Sequence, residues 1–352
     1  MPHQSAQTAP RLSVVVRSYN RPITLLELLH RLLEQDHDSF EIVVVEQSTK
    51  FSPADTAAVA ELARDARLRI LHFPPLGGPG ARNAGVRAAR GELLVFIDDD
   101  DLPASRDWLR LHEANFADPN CLGVTGRFID EAGVETNYVN PAKAEKNVLS
   151  FNVLKWQRVY AKTAVRKPVE SLMGGNAAIR RSTLARFGLW DECTPIEDEP
   201  SLAYRIAEGK RDEEYVLFDP APRMIRRLNA PGGMAKRGLS GPAYGQKVFT
   251  FMHNIIGHYF PIRFALLYPF YIYFLGYHCT EWIVSDSKKH TTLSSRVVAV
   301  AGLWLTLPFM WAYWLAVYWG KRVRDGEPAH RPRLELSESA NDRDFVAVRV
   351  RP

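Results

Sequence analysis

The 352-residue sequence predicts an α/β fold, a parallel sheet with helices on both faces, followed by a membrane-associated helical hairpin. Three features predict it. Apolar β-branched runs alternate with helical patterns from Leu12 to Ile97, the signature of strands joined by crossover helices. One such run, Leu93-Leu94-Val95-Phe96-Ile97, ends directly in Asp98-Asp99-Asp100-Asp101, which puts four acids at the carboxyl edge of the sheet, where open α/β sheets bind ligands. Beyond Val248 the composition turns aromatic and loses its charge over long stretches.

The elements follow in order. Residues 12–16 form the first strand and run into Arg17-Ser18-Tyr19-Asn20-Arg21-Pro22. Leucines 25, 26, 28, 29, 32 and 33 then give a helix with a broad apolar face, for which Asn20 or Thr24 is the expected cap. Residues 41–45 are the second strand, ending in Glu46-Gln47-Ser48; the alanine-rich stretch 54–66 predicts a helix, and 68–73 a third strand. The glycines at 77, 78 and 80, with Pro79, are expected to break the chain before a helix over 81–89. After the acidic strand come a helix over 107–116, a strand over 122–126 and a polar, irregular insertion over 130–146. Residues 174–181 return to the sheet, and Ser182 is the expected cap of a helix over 183–187. Ile196-Glu197-Asp198-Glu199-Pro200 opens another helix, with Leu202, Ala203 and Ile206 inward, and 216–218 is a short strand. The glycine-rich, basic segment 230–238, with Lys236 and Arg237, has the composition of a hinged lid.

Residues 264–280 and 297–320 carry no formal charge. As a helix the second would run about 36 Å, enough for a hydrocarbon core of about 30 Å; the first is shorter and is interrupted by Pro269 and Gly276. Two spans would leave both chain ends on one side, and use of cytoplasmic nucleotides then puts the α/β domain on the cytoplasmic face of the inner (plasma) membrane. The expected organisation is a loose tail over 1–10, an α/β domain over 11–247, the membrane hairpin over 248–320 and a charged, disordered tail over 321–352. A net charge of +5, with no basic stretch interleaved with aromatics, excludes nucleic acid as the expected partner. The cysteines at 121, 193 and 279 are too scattered for a disulfide framework or a zinc site.

Packed carboxylates repel unless a cation sits between them, and oxygen-only ligands suit Mg²⁺ or Mn²⁺ better than zinc. The acidic run is therefore expected to hold a divalent metal against a phosphorylated substrate.

Several motifs stand in a telling order: Val14-Val15-Val16-Arg17-Ser18-Tyr19-Asn20-Arg21, then Glu41-Ile42-Val43-Val44-Val45-Glu46-Gln47-Ser48, Gly80-Ala81-Arg82-Asn83-Ala84-Gly85, Phe96-Ile97-Asp98-Asp99-Asp100, Gly175-Asn176-Ala177-Ala178-Ile179-Arg180-Arg181, Trp190-Asp191-Glu192 and Glu197-Asp198. In this order, over residues 11–240, the chain resembles the family 2 glycosyltransferases. The resemblance implies the GT-A fold (a mixed, mainly parallel sheet flanked by helices), a nucleotide-sugar donor, a divalent metal, Mg²⁺ or Mn²⁺, and single-displacement transfer with inversion. It implies that Asp98 and Asp100 hold the metal, with Asp100 nearest and Asp98 on the ribose or the metal. Asp99 is grouped with the donor-binding residues, although alternation in extended chain turns it to the other side. Glu46 stands where the family has an aspartate on the nucleobase; a carboxylate accepts the N3–H of uracil or thymine, which favours UDP- or dTDP-linked donors and leaves GDP open. Tyr19 corresponds to residues near the base, and Arg82 to an arginine near the nucleotide, where a guanidinium suits phosphate. Asp198 falls at the position of the base that takes the acceptor proton, with Glu197 as the fallback. Lys236 and Arg237 would close on the pyrophosphate. Arg226, Arg227, Leu228 and Asn229 replace a histidine found in many relatives.

The expected activity is that of a glycosyltransferase in polysaccharide or cell-envelope biosynthesis, with a hydroxyl on a lipid-linked or envelope glycan as acceptor. Transfer to a polyprenyl phosphate is the alternative. A sugar nucleotidyltransferase would need a glycine-rich loop after the first strand, where this chain has Arg17-Ser18-Tyr19-Asn20.

Overall fold

A computed structural model describes residues 10–133, 165–169, 172, 174–192, 199–227, 268–285, 292–314 and 316. The described strands are β1 (Leu12–Ser18), β2 (Phe40–Glu46), β3 (Leu68–His72), β4 (Leu93–Asp98), β5 (Asp101–Pro103), β6 (Cys121–Ile129), β7 (Lys167–Val169), β8 (Asn176–Arg180) and β9 (Tyr215–Arg226). They form one sheet in the order β3-β2-β1-β4-β8-β6-β9-β5, with β7 on β9. The first four strands in that order are parallel, as the alternation predicts. From β8 onward the sheet is mixed: β8 is antiparallel to both β4 and β6, and β6 is parallel to β9.

Helices cover both faces because the parallel strands are apolar on both. Val14, Val16, Ile42, Val44 and Val95 pack with Leu25, Leu28, Leu29 and Leu32 of α1 (Pro22–Leu33). The alternate residues Val15, Val43, Leu94 and Phe96 pack on the other side with Val86 of α3 (Gly77–Ala88) and Leu184 of α5 (Arg181–Phe187). α3 lies so close to β1 that a Cβ on Gly85 would come within 2.4 Å of Val15 Cγ1. α2 (Pro53–Leu62) carries a full capping box between Ser52 and Asp55.

Several boundaries differ from expectation. α1 starts on Pro22 with no side-chain cap. Asn20 adopts a left-handed φ of 56°, and its Oδ1 accepts from the Thr49 and Lys50 amides, so it ties two loops together rather than capping a helix. The glycines at 77–80 form the first turn of α3, where Pro79 costs no hydrogen bond. α5 starts on Arg181, one residue ahead of the expected cap Ser182. α4 (Trp108–Ala114) passes into a 3₁₀ turn, and α6 (Glu199–Gly209) buries Leu202, Ala203 and Ile206 as expected. β9 runs through Pro220 and Pro222, where its pairing with β6 shifts register; those prolines hid all but three of its residues from a pattern reading.

The hairpin helices are α7 (Tyr268–Ser285) and α8 (Leu293–Trp314). They pack against each other: Trp304 donates to Thr280 Oγ1 at 2.9 Å, and Leu307 sits where a Cβ on Gly276 would collide. The expected spans over 264–280 and 297–320 lie partly outside the described residues. Among the described residues no helix is long and apolar enough to cross a membrane. Among the described residues α7 runs on past Glu281 and α8 takes in Arg296, so each extends beyond its uncharged stretch on one side.

A buried polar knot joins β8, β6, β9 and α4. Asn176 Nδ2 donates to the Arg127 and Pro222 carbonyls at 3.0 Å, which orients its Oδ1 to accept from Trp108 Nε1 at 3.1 Å and His112 Nε2 at 2.9 Å. His112 is fully buried and its Nδ1 has no partner among the described residues, so burial pushes the ring down to about 4, against the hydrogen bond it donates to Asn176. A histidine depressed on folding contributes stability that is complete above its unfolded value of about 6.5 and is lost as pH falls toward 4. Wild type should therefore lose about 2 kcal/mol relative to His112→Gln between pH 6.5 and 5, read from urea melts. Parallel pH curves for the two proteins would contradict this.

Candidate active site

The ends of β1, β2 and β4 lie side by side at the carboxyl edge, with Arg17 in register with Asp98 and Ser18 with Glu46. Asp98 closes β4. Its Oδ1 accepts from Arg17 Nε at 2.7 Å and its Oδ2 from Arg17 Nη2 at 3.2 Å, while Arg82 Nη2 stands 3.7 Å from Oδ1. Burial alone would raise the Asp98 carboxyl; Arg17, Arg82 and Arg226 outweigh it and hold the group well below the usual carboxylate range.

The next three acids diverge. Asp99 turns inward, accepting from Ser18 Oγ at 2.9 Å, the Tyr19 amide at 3.3 Å and Arg21 Nη1 at 2.7 Å. Burial pushes it up to about 6 despite Arg21. Asp100 stays partly exposed, its Oδ2 2.8 Å from the same Arg21 nitrogen. Asp101 opens β5 opposite Arg226 of β9, whose Nε and Nη2 reach its two oxygens at 3.3 and 3.2 Å. Burial pushes Asp101 up to about 7; Arg226 opposes the rise, and the charges of Asp98 and Asp100 add to it.

One oxygen from each of Asp98, Asp100 and Asp101 lies within 4.8 Å of the others, an all-oxygen set of the kind that suits Mg²⁺ or Mn²⁺. A Cβ on Gly175 would stand 3.2 Å from Asp98 Oδ2 and from Asp101 Oδ2, so glycine keeps the floor of this cluster clear. The residues present therefore fit a hard divalent cation.

Of the residues named from sequence, the structure brings together Asp98, Asp100 and Arg82, with Tyr19 at the same edge through its backbone. Asp99 turns into the protein, as alternation in extended chain leads one to expect, and Ser18, Tyr19 and Arg21 use both its oxygens. Glu46 is buried at the end of β2; its Oε1 accepts the Ser48 amide at 2.7 Å and its Oε2 lies 3.6 Å from His72 Nδ1, a contact that raises the His72 pKa. Glu197, Asp198, Lys236 and Arg237 lie outside the described residues. The described residues on either side of the segment carrying Glu197 and Asp198 are held. Asn83 of α3 holds the Trp190 amide and carbonyl and Glu192 Oε1 at 2.8 to 3.0 Å. On the far side, Leu202 of α6 lines one small cavity with Phe96 and Trp190, directly behind the acidic strand end.

Sequence reading did not single out Arg17, Arg21 and Arg226 as members of the site, and it placed Asp101 in the metal-holding acidic run without naming it as a ligand. Asp101 was visible as the fourth acid of the run. Arg17 could be found only from the β1–β4 register, and Arg226, which stands where many relatives carry a histidine, lies 125 residues from its partner.

Comparison with known proteins agrees with this geometry. The model for glycosyl transferase family 2 matches residues 13–188, which is 176 of the 352 residues. EpsJ of Bacillus subtilis (strain 168), named as an uncharacterized glycosyltransferase, is 34% identical over 144 residues, covering 40% of each chain. ExoO of Rhizobium meliloti (strain 1021), named as a succinoglycan biosynthesis protein, is 37% identical over 94 residues, 26% of each chain. The matched stretch thus spans less than half the length of these relatives. Among solved structures, S. aureus TarS in complex with UDP-GlcNAc superposes with a TM-score of 0.54 at 16% identity, over 90% of this chain and 92% of that one, a likeness of fold. With the family match extending over half its length, and a sheet, strand edge and acidic cluster of the matching kind, the chain belongs to glycosyl transferase family 2.

Proposed function

We propose that this enzyme transfers a sugar, with inversion, from a nucleotide-sugar donor to a hydroxyl of a lipid-linked or cell-envelope glycan. The observation that carries the reading is the convergence of Asp98, Asp100 and Asp101 with Arg17 and Arg82 at the carboxyl edge of the parallel strands. The donor class is supported by the UDP-GlcNAc complex of TarS, and the acceptor class by the name of ExoO.

Asp98 and Asp100, joined by Asp101, would hold Mg²⁺ or Mn²⁺. Such a cation, when bound, supplies Lewis-acid stabilisation of the charge that develops on a departing nucleoside diphosphate. Arg82 is positioned for the phosphates. Tyr19 and Glu46 sit at the edge where the nucleobase would lie; a UDP- or dTDP-linked donor suits the Glu46 carboxylate, with GDP open. Lys236 and Arg237 close over the pyrophosphate. Asp198, with Glu197 as the fallback, takes the proton of the acceptor hydroxyl as its oxygen bonds to the anomeric carbon and the sugar–phosphate bond breaks.

The enzyme is proposed to sit at the inner (plasma) membrane with its α/β domain in the cytoplasm. α7 and α8 support that reading: Phe270, Leu293, Val298, Leu305 and Phe309 are each at least 70% exposed, an apolar surface that water disfavours and acyl chains would cover.

A transfer assay with Asp198→Asn tests the chemistry. Loss of a general base should lower kcat by about a thousandfold and leave donor binding unchanged. A variant that keeps most of its activity would remove the base role and favour a phosphate acceptor, which needs no deprotonation.

A further inference from the structure

The acidic cluster carries its own counter-cations. Arg17 grips Asp98 through both oxygens with Arg82 alongside, Arg21 spans Asp99 and Asp100, and Arg226 holds Asp101. Four carboxylates thus face four guanidiniums among the described residues, which is close to neutrality before any ion enters.

These pairs are not equivalent. Arg21 is buried and keeps Asp99, which lies outside the cation-sized group. Arg17 and Arg226 keep 29% and 20% of their side chains exposed, and each grips an acid that belongs to that group. Arg226 also lays its guanidinium over the Phe128 ring at 4.1 Å, so the face of the group is held by an aromatic while its edge holds the carboxylate. Loss of the edge contact would leave the stacking in place. The edge could then turn to another oxyanion, and a guanidinium matches the paired oxygens of a phosphate as well as those of a carboxylate.

We propose that Arg17 and Arg226 are exchangeable counter-cations: they occupy Asp98 and Asp101 until a divalent cation takes those acids, and the freed guanidiniums then bind the diphosphate of the donor. The proposal rests on the nucleotide-sugar reading above and adds a coupling to it. A divalent ion alone would add two positive charges to this cluster, which a nucleoside diphosphate offsets. Each ligand should therefore strengthen the binding of the other, and reciprocally.

Mn²⁺ binding to the full chain, read from the free-ion EPR signal with and without UDP, tests this. Wild type should bind Mn²⁺ weakly alone and about tenfold more tightly with UDP. Arg226→Met removes one counter-charge, so Mn²⁺ alone should bind about tenfold more tightly, UDP more weakly, and the enhancement by UDP should shrink. If Arg226 merely orients Asp101, the folded variant will bind Mn²⁺ equally or less well, and the proposal is overturned. Arg226→Lys should keep Mn²⁺ binding near wild type and still weaken UDP, because the forked contact is lost. Should Arg226→Met fail to fold by thermal melt, Arg17→Met at the more exposed pair carries the same expectation and the same overturning result. Wild type that binds neither Mn²⁺ nor UDP would instead bring down the donor-site reading itself.

Discussion

Asp100→Asn is expected to lower sugar transfer by about a thousandfold, equivalent to about 4 kcal/mol of transition-state stabilisation, with little change in melting temperature. The two halves of that expectation come from different contacts. Asp100 is the most exposed member of the cation-sized group, so its carboxylate is available to a ligand. An amide offers one neutral oxygen in its place, and a site that must offset the charge of a departing diphosphate loses a full negative charge from its metal-holding set. The fold is spared because Arg21, the partner of Asp100, retains Asp99 at 2.7 Å. The same change at Asp98 would remove a contact from both Arg17 and the buried Arg82, so its effect would not isolate the metal-holding role. Transfer measured at saturating Mn²⁺ beside a thermal melt checks both halves. Activity within tenfold of wild type would remove Asp100 from the reacting site.

Asn176→Leu should cost at least about 4 kcal/mol and leave much of the protein unfolded at moderate urea, because a typical domain has only about 5–15 kcal/mol to lose. The leucine would fill the same space, so a cavity is not the cause. Three buried groups lose this contact at once, the Trp108 and His112 ring N–H groups and the Pro222 carbonyl, and the part-buried Arg127 carbonyl loses it with them. Each orphaned buried group costs about 1–3 kcal/mol. The neighbouring Gly126 belongs to the same knot, where a Cβ would fall 2.2 Å from the Pro222 carbonyl oxygen. The knot fixes β9 beside β6 and so places Arg226 against Asp101. A midpoint shift worth less than about 1 kcal/mol would show that water or rearrangement satisfies these groups.

The parallel half of the sheet was legible in the sequence because its strands are buried on both faces and read as unbroken apolar runs, as at Val14–Val16 and Val43–Val45. The acidic cluster was legible for the same reason: a run of apolar residues that ends in aspartates leaves little choice about where the acids lie. Asp99 shows the limit of the motif. Pattern matching groups it with its neighbours, while the alternation of extended chain sends it inward to Arg21. Arg17, Arg21 and Arg226 were visible in the sequence, but not their pairing with the acids, since they reach them through strand register and a long-range contact. The end of α1 was misread because Asn20 looks like a cap and instead bridges two loops with a left-handed backbone. Absence of charge located the two hairpin helices in the sequence but not their ends, since α7 runs past Glu281 and α8 takes in Arg296.

The most direct test is anomalous diffraction from crystals of the full chain soaked with Mn²⁺ and UDP. A peak is expected roughly 2 Å from carboxylate oxygens of Asp98, Asp100 and Asp101, with the diphosphate on its open side and within reach of Arg82. UDP seated at this edge with no peak among these acids, or Mn²⁺ bound only elsewhere, would contradict the assignment of the cluster as the metal-holding centre of sugar transfer.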